Sequence, residues 1–418
     1  MEVAVGSTRL HDRPGVYLGV DCVSSAGLIV YLSALILRPV VQKHIGILGG
    51  GQLGRMLIQK GLDWNIPFSV LDPDPHAPCS RLAPFTCGSL TDYETVMRFG
   101  EPCDILTIEI ENVNTRALKA LAQQGKQVFP QPEVIECIQD KRTQKKFFVD
   151  HGIPTSDYIL TANREDVTRQ ADFLPAVNKL GREGYDGRGV QILRTPSDLS
   201  KAFDSPGLLE KLVDIDKEIS VIVARNGNGD VRAFPAVEMV FHPEANLVDF
   251  LISPAELPEE ISLRAEAIAV ELISEFRMVG ILAVEMFVTL SGGILVNEVA
   301  PRPHNSGHQT IEGNVTSQYE QHLRAILNLP LGDTAVRYPS AMVNLLGEPG
   351  HQGEARYLGL EGVLDIPGVY VHLYGKKNTK PFRKMGHVTV VDRDVESLRK
   401  KATFVKNTLK VVAWPNQS

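Results

Sequence analysis

Two glutamates constrain this chain more than any other pair of residues in it. Residues 281–308, ILAVEMFVTLSGGILVNEVAPRPHNSGH, read as two strands because period-2 apolar runs flank Gly292 and Gly293. Folded symmetrically about Ser291 and Gly292, the hairpin sets Thr289 against Ile294, Phe287 against Val296, and Glu285 against Glu298. Carboxylates directly opposed on one face of an antiparallel pair repel each other. A divalent cation between them turns that repulsion into ligation, and hard oxygen donors suit magnesium. Without a metal, the same residues make a hairpin with two solvated glutamates. Asn297 alternates to the other face unless a bulge turns it back. The sequel, Arg302-Pro303-His304-Asn305-Ser306-Gly307-His308, is a polar, cation-bearing loop after a buried-looking strand, where substrate contacts are usually placed.

Ahead of the hairpin, β and α signals alternate. Residues 44–49 form a short apolar strand, followed by Gly49-Gly50-Gly51-Gln52-Leu53-Gly54-Arg55 and a helical pattern to about Leu62. This fits G-x-G-x-x-G between a strand and a helix. A second strand, residues 68–71, ends at Asp72, where a dinucleotide fold carries its ribose-binding acid. Two readings stand: a nicotinamide or flavin site, or a Gly-rich turn serving another ligand or tight packing. Residues 92–99 are helical with Thr91 as N-cap, 104–111 a strand, 115–124 a helix and 127–129 a strand. Residues 43–138 are therefore expected to form a Rossmann-like parallel sheet covered on both faces. Glu109 and Glu111 lie near the C-terminal end of their strand, so Glu111 beside Asn112 is a candidate ligand contact.

From Asp140 the texture changes. A basic helix begins with Lys141, Arg142, Lys145 and Lys146 and ends at Gly152-Ile153-Pro154; charge alone makes it a solvated face. Residues 175–180 are a strand with Lys179 inside an apolar run, and a buried ammonium requires an anion. Residues 181–190 interleave glycines with charged side chains, as a flap over phosphates or a surface hairpin tip. No Walker A sequence occurs. Residues 208–213 form a strand carrying Glu210 and Lys211. Glu218 opens another, which turns at Asn226-Gly227-Asn228-Gly229 and returns over 231–241. With helices at 258–278 and 315–327, residues 139–330 read as α+β. Residues 331–418 form a smaller β-rich piece, with strands at 341–346, 369–374 and 387–391 and a helix at 395–406. Between its strands sit Lys376, Lys377, Lys380, Arg383 and Lys384, as an exposed basic loop or a phosphate site.

At 418 residues and 43% hydrophobic, the chain has room for two or three domains. A net charge of −7 and a pI near 5.9 argue against a nucleic-acid-binding face and leave only local basic pockets. Cys22, Cys79, Cys87, Cys103 and Cys137 show neither C-x-x-C nor metal spacing, as expected of buried free thiols in a reducing compartment. Residues 22–37 are uncharged and mostly apolar, but short for a membrane span and interrupted by Ser24, Ser25 and Ser33. Residues 1–42 are expected to be a poorly ordered extension, with targeting or anchoring as alternatives.

A lysine strand, a Gly-rich flap and a paired-carboxylate hairpin after an α/β domain point to ATP used with Mg2+. The chain resembles the ATP-grasp superfamily, and within it the 5-(carboxyamino)imidazole ribonucleotide synthases of purine biosynthesis. The resemblance covers about residues 44–410. It rests on Gly50-Gly51-Gln52-Leu53-Gly54-Arg55-Met56, Gly184-Tyr185-Asp186-Gly187-Arg188-Gly189, residues 297–308, and Arg383-Lys384-Met385-Gly386-His387. Many members carry Lys and Gln where this flap has Arg188 and Val190, and the segment before Lys43 lies outside the family pattern.

The resemblance implies a ligase that carboxylates 5-aminoimidazole ribonucleotide with ATP and bicarbonate through carboxyphosphate. It implies magnesium on Glu285 and Glu298, and ATP phosphates facing Lys141 and Lys179 under a flap of Gly184, Tyr185, Asp186, Gly187, Arg188, Gly189 and Val190. Adenine would lie along Glu210, Lys211, Leu212 and Val213, with the ribose on Glu218 and further nucleotide contacts at His242 and Asn297. The ribonucleotide would meet Gln52, Glu111, Tyr185, Asp186 and Arg188, its phosphate held by Lys376, Arg383 and Lys384, with Arg302 and His304 beside bicarbonate. The expected setting is a cytoplasmic homodimer acting on small molecules, with no nucleic acid and no membrane. The rivals are another ATP-grasp ligase (a formate-dependent glycinamide ribonucleotide transformylase or a biotin carboxylase), a Rossmann oxidoreductase and a non-catalytic nucleotide sensor.

Overall fold

The computed structural model describes residues 43–182, 184, 189–241 and 248–414. The expectation for residues 1–42 lies outside these, as do those for Tyr185, Asp186, Gly187, Arg188 and His242.

The wholly buried strand β1 (Ile45–Leu48) pairs in parallel with β2 (Phe68–Asp72) and β4 (Ile105–Ile108). With β3 (Phe85–Cys87) and β5 (Gln127–Val128), they form a parallel sheet in the order β3-β2-β1-β4-β5. Helices α1 (Gln52–Leu62), α2 (Tyr93–Gly100) and α3 (Thr115–Gln123) connect the strands and bury apolar stripes. Leu53, Met56 and Leu57 enter one core cluster, and Val96, Phe99 and Leu118 another. Strand order reverses between β1 and β4, which opens a crevice beyond their C-terminal ends. Helix α2 is capped by Asp92, not by Thr91 as expected. The Asp92 carboxylate accepts from both the Thr95 N–H at 2.8 Å and the Thr95 hydroxyl at 2.6 Å, and its charge favours a helix N-terminus.

Helices α4 (Pro132–Gln139) and α5 (Lys141–Asp150) lead into a four-stranded antiparallel sheet. Its strands are β6 (Tyr158–Thr161), β7 (Ala176–Leu180), β8 (Val190–Leu193) and β9 (Gly207–Lys211), in the order β6-β9-β7-β8. Next come β10 (Ile215–Arg225), β11 (Val231–Ala233), β12 (Val237–Phe241) and β13 (Val248–Ser253). Helix α6 (Glu259–Glu275) packs across β10 and delivers the chain to the hairpin of β14 (Gly280–Thr289) and β15 (Ile294–Ala300). Helix α7 (Gln318–Ile326) turns back to the first sheet. Its Tyr319 and Leu323 complete the core around α1, and His322 Nε2 lies 2.9 Å from the Thr107 hydroxyl.

The last part contributes β16 (Ser340–Leu346), β17 (Gly353–Leu358), β18 (Val369–Leu373) and β19 (Asn378–Thr379). It ends with β20 (Lys384–Val391), helix α8 (Val395–Thr408) and β21 (Lys410–Ala413). Strands β17, β19 and β21 make a small sheet. By contrast, β16, β20 and β18 continue the central one, because β13 pairs with β16 from Phe250↔Val343 to Ser253↔Ser340. The result is a nine-stranded sheet ordered β15-β14-β10-β12-β13-β16-β20-β18, with β11 on β10.

Glu285 does oppose Glu298, and Val284 and Ala283 keep the symmetric register beyond it, but the rungs between Glu285 and the turn are one residue off. Ile294 faces Val288 where Thr289 was expected, and Val296 faces Met286 where Phe287 was expected. The shift is absorbed between Met286 and Glu285, where Asn297 is the extra residue of a β-bulge. The turn explains it. Gly292 N donates to Thr289 O at 2.8 Å, Gly292 has φ +79, and the Thr289 N–H donates to Gly293 O at 2.8 Å. This is a three-residue turn, Leu290 to Gly292, ending on a left-handed glycine; it takes one residue more from the β14 side, and the extra residue Asn297 on β15 restores the register.

Candidate active site

One cleft of about 1800 Å3 opens among the parallel sheet, the four-stranded sheet and the nine-stranded sheet. Of the described candidates, all but Gly189 border it. Gly189 accepts from Leu180 N at 2.9 Å with φ +75 and closes the β7–β8 connection. The hairpin bulge sets Asn297 on the cleft side together with Glu298, since two bulge residues share one partner, Glu285.

Lys141 opens α5. Asp140 caps that helix by accepting from Arg142 N at 3.0 Å, and Lys141 N donates to Gly181 O at 2.8 Å, tying the helix to the end of β7. The Lys141 ammonium pairs with Glu298. That lysine is the main cause holding the Glu298 carboxyl below its usual range. Burial, followed by repulsion from Glu298, pushes the Glu285 carboxyl up. Lys141 thus favours the ionised form of Glu298, while burial and the facing carboxylate oppose ionisation of Glu285.

Lys179 finds the anion its burial requires. Its ammonium lies 3.1 Å from Glu210 Oε2 and 2.8 Å from Asn297 Oδ1. Lys145, one helical turn after Lys141, is buried and also reaches Glu210, at 3.2 Å, with the Ser156 hydroxyl at 3.1 Å. Burial alone would raise the Glu210 carboxyl, but Lys179 and Lys145 outweigh it and bring it down. Lys145 was not among the candidates, although its i, i+4 spacing from Lys141 places it on the same face. Glu218, deprived of water, is pushed up to about 7. Lys211 turns its side chain away, donating to the carbonyls of Phe173 at 3.0 Å and Leu174 at 3.3 Å.

At the other wall, the Gly-rich turn already holds its own anions. Gly50 N donates to Asp72 Oδ2 at 2.7 Å, and Leu53 N donates to Glu109 Oε1 at 3.2 Å. A carboxylate occupies the helix N-terminus that a dinucleotide pyrophosphate would need, so the oxidoreductase reading fails on charge and space. Burial raises Glu109 to about 7, with Arg302 opposing. Arg302 Nε pairs with Glu111 Oε1 at 2.9 Å, joining the loop after β15 to the end of the first sheet. His304 Nε2 lies 3.4 Å from Glu285 Oε1. From the last part, Arg383 Nη1 donates to Asn378 O at 2.7 Å and Lys376 Nζ to Lys384 O at 2.7 Å, which stiffens the basic loop. Gln52 sits at the first turn of α1, facing the same space.

The chain matches three family models in sequence. They are the ribonucleotide synthetase preATP-grasp domain over residues 42–139, the ATP-grasp domain over 146–319, and the phosphoribosylaminoimidazole carboxylase C-terminal domain over 340–401. It is 35% identical over 396 residues to the N5-carboxyaminoimidazole ribonucleotide synthase of Synechococcus elongatus, covering 92% of this chain and 98% of that one. The chain belongs to the N5-carboxyaminoimidazole ribonucleotide synthase family. Among solved members of that family, the Thermotoga maritima synthetase superposes with a TM-score of 0.83 at 43% identity, covering 89% of this chain and 100% of the other. The Aspergillus clavatus synthase, solved with ADP and 5-aminoimidazole ribonucleotide, gives 0.79 at 32% identity, covering 87% and 98%. The synthase family's ATP-grasp fold accounts for the pairing of a lysine strand with a carboxylate hairpin.

Proposed function

We propose that this chain is the ATP-dependent ligase that carboxylates 5-aminoimidazole ribonucleotide on its exocyclic amine, in purine biosynthesis. One observation carries it: the carboxylate hairpin, the phosphate-facing lysines and the basic loop 376–384 border a single cleft. Neither end alone would specify the reaction. ATP-grasp ligases share the nucleotide end, and the basic loop supplies the acceptor.

Bicarbonate is a poor electrophile. Its oxygen attacks the γ-phosphorus of ATP, ADP leaves, and carboxyphosphate breaks down to carbon dioxide and phosphate beside the amine, whose lone pair takes the carbon. Lys141 and Lys179 neutralise the phosphates, giving up Glu298 and Glu210 as they do so. Arg302 stands next to Glu111 and His304 next to Glu285, where the bicarbonate end would lie. Lys376, Arg383 and Lys384 hold the ribonucleotide phosphate, and Gln52 and Glu111 the rest of it.

Glu285 and Glu298 fit a magnesium ion. They offer hard oxygens on one rung, and no group of three or more His, Cys, Asp or Glu with metal-holding geometry occurs among the described residues. Magnesium is typically held by one or two carboxylates, with substrate phosphates and water completing its shell. Bound there, it supplies positive charge to the phosphates during transfer. Cys79 and Cys103 are buried free thiols as expected, whereas Cys87 is exposed and Cys137 half-buried; the cytoplasmic setting is inferred from the family resemblance. No helix among the described residues is long and apolar enough to cross a membrane. The homodimer is inferred from the family resemblance.

The test is ADP release with ATP, bicarbonate and 5-aminoimidazole ribonucleotide omitted in turn. Full turnover is expected only with all three. Release that depends on glycinamide ribonucleotide or biotin instead would sink the assignment.

A further inference from the structure

His304 is gripped at both its backbone and its ring. Gln318, fully buried at the start of α7, accepts from His304 N at 2.9 Å through Oε1 and donates to His304 O at 2.7 Å through Nε2. With the backbone fixed, the ring turns Nδ1 toward Ser306. The Ser306 backbone N–H donates to Nδ1 at 3.3 Å, and the Ser306 hydroxyl lies 2.9 Å from the same nitrogen. A backbone N–H only donates, so Nδ1 holds a lone pair and the proton of the neutral ring sits on Nε2. Behind Ser306, the Ser220 hydroxyl lies 2.8 Å away, and both serines are sealed from solvent. One ordering serves all three groups: Ser220 O–H donates to Ser306 Oγ, and Ser306 O–H donates to His304 Nδ1. Ser220 is anchored on β10 directly across from Glu285 on β14, so the chain of hydroxyls ends on the rung that carries that carboxylate.

We propose that Ser306 and Ser220 are positioning residues that hold His304 with Nδ1 as acceptor and Nε2 as N–H donor, the nitrogen that lies 3.4 Å from Glu285 Oε1, at the end of the cleft where the oxygens of bicarbonate or carboxyphosphate would lie. A ring so held stabilises developing negative charge and does not accept the amine proton. The proposal rests on the reading that His304 works at the bicarbonate end of the cleft.

Two measurements on the full chain separate the two ideas. In protein carrying 15N-histidine, long-range proton–nitrogen correlation reports the tautomer, with the His304 signals identified by their loss in His304→Gln. The unaltered protein should show a pyridine-type Nδ1 and a pyrrole-type Nε2. Ser306→Ala should average the two shifts, Ser220→Ala should do so partially, and Ser306→Thr should restore them. In ADP-release assays, Ser306→Ala should lower kcat roughly ten- to a hundred-fold while the KM for ATP holds, with Ser306→Thr recovering most of it. A proton on Nδ1 in the unaltered protein, or shifts untouched in both alanine variants, overturns the relay. Full activity in His304→Gln would instead overturn the role given to His304, whatever its tautomer.

Discussion

Lys145 does not border the cleft, yet it decides what the cleft can hold. It stands behind Glu210, so when Lys179 moves to a phosphate, one cation stays with the buried carboxylate. Removing one partner of such a buried set typically costs about 3–5 kcal/mol, because a charge is left uncompensated. Lys145→Met leaves Glu210 with Lys179 alone, so that cost falls mainly when Lys179 turns to a phosphate: the KM for ATP should rise, and the denaturant midpoint should fall by less than a stranded charge would cause. Unchanged denaturant midpoint and unchanged KM would show that Glu210 needs only Lys179. Glu298 belongs to the same scale. On the proposed reading, Glu298→Gln removes one of the two carboxylates that would hold the metal and also the partner of Lys141, so ADP release at ordinary magnesium should vanish while circular dichroism stays native. Near-normal turnover would refute the paired-carboxylate site.

Among the elements, the hairpin and the lysine strand were legible in the sequence because their periodicity is strict and their charged residues interrupt apolar runs. The bulge at Asn297 was not, since counting residues across a turn assumes that the turn takes equal numbers from both strands. Strands β6 and β8 escaped for another reason: Leu160 and Ile192 are exposed on them, so neither shows clean alternation. The basic loop between β18 and β20 was visible as charge, but whether it faced solvent or a ligand depended on where the sheet carried it. Charge-assisted contacts to phosphate contribute about 1.5–3 kcal/mol each. Arg383→Ala should thus raise the KM for 5-aminoimidazole ribonucleotide roughly ten- to a hundred-fold and leave that for ATP in place. Equal rises in both would mean that the loop does not hold the ribonucleotide phosphate.

For the whole molecule, the long-range joins were invisible in sequence, because nothing local marks Thr107 as the partner of His322 or β13 as the neighbour of β16. The joins have a pH signature. Burial brings His322 down to about 3 and holds His308 and His387 well below the usual 6.5. Below pH 6.5 the unfolded chain therefore binds protons that the folded one refuses. Stability contributed by these rings is complete above that pH and is lost as pH falls toward the folded values. Each ring contributes up to about 1.4 kcal/mol per pH unit in that window. Melting temperature should drop between pH 6.5 and 4.5, and His322→Gln, which can still bond Thr107, should drop less steeply. Parallel curves for the two proteins would show that His322 is not part of the acid limb.

The β13–β16 pairing has a consequence for anyone wishing to change the acceptor. A terminal module hung on a linker can be exchanged, but this one is stitched into the nucleotide-binding body by a ladder over Phe250–Ser253 and Ser340–Val343. A graft from another ligase would have to bring an edge strand with the same length, direction and inward-facing side chains. A slip of one residue would turn Ala341 and Val343 out of their core and swing the transplanted basic loop away from the cleft. If the basic loop sets the acceptor as proposed, that choice is inherited with a seam, and the seam, more than the loop, limits recombination.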